Sequence, residues 1–208
     1  MSQDTPVVFI VDDDVSVRES LELLVSTEEW RAETFTSAKE FLAHPHPRAP
    51  SCLILDLSLP DLNGLDLQKR IATDRSDMPI IFITGYGDIP SSVQAMKAGA
   101  LEFLTKPIDG ESLLGAVRSA IDRSRAAMQE GAQLQALRDD YATLSRRERE
   151  VMAGVVRGLL NKQIGGELSI SEITVKAHRG RVMEKMKARS VPDLVRINAR
   201  LRLDFPRG

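Results

Sequence analysis

The strongest constraint on this chain is an alternation confined to its first 125 or so residues. Short apolar runs rich in β-branched residues recur at Val7–Val11, Cys52–Leu55, Ile80–Thr84 and Glu102–Leu104, with a weaker one at Arg31–Phe35. Runs of this kind without polar alternation predict strands covered on both faces. Between them lie helical stripes: Val17, Leu21 and Leu24; Leu65, Leu67, Ile71 and Ala72; Val93, Met96 and Ala100; Leu113, Val117, Ala120 and Ile121. The order predicts an α/β (βα)5 unit, a parallel sheet with helices on both faces. Ligands of such sheets bind at the carboxyl ends of the strands.

The residues at those ends carry chemistry. The first strand runs into Asp12, Asp13 and Asp14, the third into Asp56, the fourth into Thr84 and the fifth into Thr105-Lys106-Pro107. Clustered carboxylates repel unless a cation sits among them, and hard oxygen donors suit Mg2+, which binds through few carboxylates plus a phosphate. A lysine opposite a carboxylate can hold an added phosphoryl oxygen. The set therefore points to phosphoryl transfer onto a carboxylate, with Lys106 and Thr84 gripping the phosphoryl oxygens.

Charge divides the chain. Residues 1–110 hold 9 Lys+Arg against 18 Asp+Glu, net −9, while residues 142–208 hold 15 against 7, net +8. An acidic front and a basic tail predict two domains, the second a candidate for a polyanion. With 42% apolar and 28% charged residues, a disordered or fibrous chain is excluded. No apolar run approaches the ~20 residues of a membrane helix. Met1–Pro6 lacks the pattern of a secretory signal, and one cysteine fits a reducing cytosol.

The tail is short and helical. Ser145-Arg-Arg-Glu148 is a capping box, and Gly158 closes the helix it opens. Asn161 is expected to cap a second helix and Ser171 a third, running to about Ala188; Ser190-Val-Pro192-Asp193 opens a fourth. Two short helices joined by the turn Ser169-Ile170 predict a helix-turn-helix whose second member enters the major groove. Along it Val175, Val182 and Met186 face inward; Lys176 and Ala177 sit where base edges are read, and Arg179 and Arg181 flank them. The N-terminus capped by Ser171 can receive a backbone phosphate. Residues 109–143 contain no proline and predict a long final helix running into a linker, either solvated or a dimer seam.

The motifs Phe9-Ile-Val-Asp12-Asp13-Asp14, Leu53-Ile-Leu-Asp56, Pro60-Asp-Leu-Asn-Gly64, Ile83-Thr84-Gly85 and Phe103-Leu-Thr-Lys106-Pro107 resemble the receiver domain of two-component response regulators. Leu144-Ser-Arg-Arg-Glu-Arg-Glu-Val151, Gly158-Leu-Leu-Asn-Lys-Gln-Ile164 and Thr174-Val-Lys-Ala-His-Arg179 resemble the LuxR-type DNA-binding domain. The pairing is similar to the NarL/FixJ family, and Gly85-Tyr-Gly-Asp88 and Ala95-Met-Lys-Ala-Gly-Ala100 to its FixJ/StyR-like subgroup. The resemblance implies a receiver over residues 5–122 with strand order 2-1-3-4-5, a helical linker over 123–141, and an all-α, four-helix DNA-binding domain over 142–205. It implies Asp56 as phosphoacceptor and Mg2+ held by Asp13, Asp56 and the Ser58 carbonyl, with Asp12 assisting. Thr84 and Lys106 would contact the phosphoryl group, Phe103 would swing inward with Thr84, and the Lys106–Pro107 bond would be cis. Thr174, Val175, Lys176, His178 and Arg179 would face or position DNA, with Lys162 on the backbone. The implied partners are a sensor histidine kinase, promoter DNA and a second copy, paired through the fourth helix, fifth strand and fifth helix, in the bacterial cytoplasm.

Plainer roles stand beside these. Asp12–Asp14 also suit a helix N-terminus, Thr84 a strand end, Phe103 a core, and Cys52 inert packing. His44 and His46 lack a third metal ligand nearby. Tyr86 is a surface aromatic or a shield over the phosphoryl group. Gly165-Gly166 lies inside a helix, where glycine costs about 0.5–1 kcal/mol relative to alanine, so that helix is expected to be weakened or kinked. Gly180 stands where many relatives carry a larger side chain. Two other functions draw on the same residues: a small-substrate phosphatase, disfavoured because Ser58 stands where such motifs place a second Asp, and a phosphorylation-independent DNA-binding regulator whose receiver serves only as a dimerisation module.

Overall fold

The computed structural model describes residues 5–85 and 89–203. Tyr86 and the Gly85-Tyr-Gly-Asp88 motif thus lie wholly or partly outside the described residues. The chain divides into two compact units, 1–129 and 130–208, each described by itself.

In the first unit, β1 (Val7–Val11), β2 (Arg31–Phe35), β3 (Ser51–Asp56), β4 (Ile80–Thr84) and β5 (Glu102–Thr105) form one parallel sheet in the order β2-β1-β3-β4-β5. Every residue of β1, β3 and β4 is buried. Successive side chains of these strands go to opposite faces and build two cores. Phe9, Leu53, Leu55 and Phe82 pack with Phe41 of α2 (Ala38–Ala43), Leu67 and Ile71 of α3 (Gly64–Asp74) and Ala95 of α4 (Ile89–Lys97). Val8, Ile10, Ile54, Ile81 and Ile83 pack with Leu21 and Val25 of α1 (Val15–Val25) and with Leu113, Val117 and Ile121 of α5 (Gly110–Ala142). The expectation of two-sided burial fails at β5, an edge strand with a neighbour on one side only, so Glu102 and Thr105 are exposed. Cys52 is fully buried, and the Lys106–Pro107 bond is cis. A single helix, α5, occupies the stretch read as final helix plus linker.

The second unit continues with α6 (Arg146–Val156), α7 (Asn161–Leu168), α8 (Glu172–Lys185) and α9 (Val191–Leu201). Its core joins Leu144, Val151, Met152, Val155, Ile164, Val175, Val182, Met186 and Leu194. The expected caps Ser145, Ser171 and Ser190 each accept a backbone N–H three residues on. Asn161 does not cap α7: Leu160 holds the cap position, its N–H donating to Gln163 Oε1 at 2.8 Å, and Asn161 Oδ1 accepts from Arg179 instead. The third helix of this unit stops at Lys185, short of Ala188, because Lys187 turns to positive φ. The Gly165-Gly166 pair does not interrupt α7. Among the described residues no helix is long and apolar enough to cross a membrane.

Candidate functional site

Four strand ends meet at one edge of the first unit. Asp12, immediately after β1, is fully buried; Asp13 is exposed; Asp56, the last residue of β3, is buried. One carboxylate oxygen from each of the three lies within 4.8 Å of the others. Lys106, just past β5, donates to Asp12 Oδ2 at 2.7 Å and to Asp56 Oδ2 at 3.2 Å. The other Asp56 oxygen accepts the Ser58 N–H at 3.2 Å. Thr84 ends β4 and is buried, and its carbonyl accepts the Lys106 N–H at 2.7 Å, which ties the β5 loop to the site. Phe103 is half-buried, its ring 6.2 Å from that of Phe82.

Electrostatics follow from this crowding. Burial pushes the Asp12 carboxyl up, against the hydrogen bond from Lys106. Burial pulls the Lys106 ammonium down, but the hydrogen bond to Asp12 and the charges of Asp12 and Asp56 outweigh it and hold it raised. One ammonium therefore serves two carboxylates, and a third stands beside them. Three hard oxygen donors so close together fit a divalent cation of the Mg2+ kind.

Asp14 does not join the cluster. Its carboxylate accepts from the Ser16 and Val17 N–H groups and caps α1, so here the helix-terminus reading holds. Two contributors were not read from the sequence. Arg18 donates to the Asp12 carbonyl at 2.6 Å. Gly64 begins α3 against the end of β3: a Cβ there would stand 2.8 Å from the Asp56 carbonyl oxygen and 2.9 Å from Phe82 Cε1. Its place in the Pro60-Asp-Leu-Asn-Gly64 motif was the available signal.

The second unit displays α8. Ser171, Lys176 and Ala177 are exposed and Thr174 is half-buried. Lys162, on the first turn of α7, is exposed. Val175 is fully buried and anchors α8 to the core, so of the two expected roles its place suits positioning the helix rather than facing DNA. His178 is half-buried, and Arg179 donates to Asn161 Oδ1 at 3.1 Å, linking α8 to α7. Among the expected residues, Lys162, Ser171, Lys176 and Ala177 are the ones most open to a polyanion. The unit is held by a partly buried pair: Glu148 accepts from Lys185 at 2.7 Å and from the Ser145 N–H, and its carboxyl falls to about 2, first through the Lys185 hydrogen bond and then the Ser145 one.

The fold and the two sites define a receiver-type α/β domain joined to a helix-turn-helix unit. Residues 8–118 match the response regulator receiver domain, and residues 142–198 match the bacterial regulatory proteins of the luxR family. Response regulator protein TmoT of Ectopseudomonas mendocina is 46% identical over 202 residues, 97% of this chain and 92% of that protein. Nodulation protein W of Bradyrhizobium diazoefficiens is 47% identical over 195 residues, 94% and 86% of the two chains. The solved structure of response regulator StyR superposes with a TM-score of 0.81 at 42% identity, covering 94% of this chain and 98% of that one. The chain belongs to the two-component response regulators that couple a receiver to a LuxR-type DNA-binding domain, and it is a transcription regulator of that family.

Proposed function

We propose that Asp56 accepts a phosphoryl group from a sensor histidine kinase and that this modification gates promoter binding by the second unit. The observation that carries the reading is Lys106, held between Asp12 and Asp56 beside Asp13. An Asp56 oxygen attacks phosphorus, the P–N bond to the kinase histidine breaks, and the imidazole leaves with a proton from solvent. Lys106, already within hydrogen-bond reach of Asp56, shifts its bond onto a phosphoryl oxygen. Asp12, Asp13, Asp56 and the Ser58 carbonyl hold Mg2+, which when bound offsets the charge of the carboxylates and phosphoryl oxygens.

Thr84 then turns its hydroxyl toward the phosphoryl group, and Phe103 moves inward from its half-buried position. This changes the face made by α4, β5 and α5. Ile89, Val93 and Met96 lie exposed on α4, which suits pairing of two receivers. A dimer sets two copies of α8 on adjacent half-sites and raises affinity by effective concentration. Such a protein acts in the cytoplasm, where kinase and promoter are both reached.

The test is DNA binding with and without acetyl phosphate and Mg2+. Wild-type protein binds its promoter fragment more tightly with the donor, and Asp56→Asn shows no donor effect. Equal binding by wild type in both conditions would leave the receiver as a constitutive dimerisation module.

A further inference from the structure

The outermost line of α8 is apolar and shallow from Ile173 to Gly180 and ends on the exposed Glu184. At about 100° per residue, Ile173, Ala177, Gly180 and Glu184 lie within about 40° of the direction opposite the buried Val182. Ile173 is 82% exposed, an unusual position for a large aliphatic side chain within the first turn of a helix. Ala177 and Gly180 are exposed as well, and a Cβ on Gly180 would meet nothing within 4 Å. Lys176 and Arg181 are exposed on either side of this line. By contrast, Val175 is buried, His178 is half-buried and Arg179 is engaged with Asn161. Residues 142–208 carry net +8, so the occupant of this face is a polyanion.

An aliphatic side chain offers no hydrogen bond to a purine edge. The one apolar mark on base edges in the major groove is the C5 methyl of thymine. We propose that Ile173 reads a thymine methyl, and that Ala177 and Gly180 keep the helix surface low enough for it to reach the groove floor. Lys176 and Arg181 then meet the groove walls and phosphates. The inference rests on the DNA-binding reading of this unit and specifies what bases it selects.

The test uses full-length protein treated with acetyl phosphate and Mg2+. Its preferred duplex is selected from a random pool, and each thymine is then replaced in turn by uracil, which deletes only the methyl group. Wild type loses about fourfold in affinity at one thymine per half-site, the value of one buried methyl-sized group. Ile173→Ala, an exposed change that costs the core nothing, binds the all-thymine duplex more weakly and does not sense that uracil. Ile173→Val keeps most of the discrimination. Indifference of wild type to every uracil overturns the proposal, and so does undiminished discrimination by Ile173→Ala. Selection of no duplex at all overturns the DNA-binding reading along with it, an outcome distinct from tight binding that ignores methyl groups.

Discussion

Gly64 donates its N–H to the Leu57 carbonyl at 3.0 Å, and its missing side chain is what lets α3 start so close to the end of β3. The expected effect of Gly64→Ala is a loss of about 1–3 kcal/mol, since a Cβ 2.8 Å from a carbonyl oxygen and 3.1 Å from Leu57 Cα forces backbone to move. That movement displaces Asp56, so acceptance of the phosphoryl group from acetyl phosphate slows as well. Urea unfolding and a phosphate-affinity gel measure the two effects. Glu148 gives a pH prediction with a definite sign. Its folded value, about 2, is below the ordinary 4.5, so its stabilisation is fully present above 4.5 and is lost as pH falls toward 2. Glu148→Gln should therefore cost roughly 1.5–3 kcal/mol at neutral pH and much less near pH 2, read from denaturation at both pH values. Neither effect was legible in residue order alone. The capping box was read at Ser145 and Glu148, but Lys185 reaches Glu148 from 37 residues away.

At the level of elements, the adjacent glycines of α7 behave oppositely. A Cβ on Gly165 would come within 2.8 Å of the Ile170 carbonyl, so a side chain there would press on the turn into α8. A Cβ on Gly166 meets nothing within 4 Å. Gly166→Ala should stabilise the unit by about 0.5–1 kcal/mol, and Gly165→Ala should destabilise it, both measured by thermal unfolding. The sequence flagged this pair as a weakness, yet only the packing separates the crowded glycine from the open one. Periodicity placed Val175, Val182 and Met186 inward on α8, and all three are buried. For Val175, named from the motif as facing or positioning DNA, that burial suits the positioning role. Asn161 misled for a related reason: a good capping residue was claimed by Arg179, one helix away.

Across the whole molecule, charge and chemistry are divided between the two units. The acidic first unit gathers carboxylates around Lys106, and the basic second unit exposes Lys162, Lys176 and Arg181. Phosphate contacts release counterions, so DNA affinity should fall steeply between about 50 and 200 mM salt. Lys162→Ala should weaken binding to all sequences alike and lower the slope of log affinity against log salt by about 1, measured by fluorescence anisotropy.

Residue order by itself determined the alternation of strands and helices, the two-part charge, the helix start signals and the separated motifs that place Asp12, Asp13, Asp56, Thr84 and Lys106 at strand ends. These are legible because local periodicity and strand termini are properties of neighbouring residues. Tertiary packing decided the rest: that Lys106 is shared by Asp12 and Asp56, that a Cβ on Gly64 would press on Phe82, that Lys185 reaches Glu148, and that Arg179 takes up Asn161. Those outcomes depend on distances between segments far apart in the chain, which no local pattern encodes.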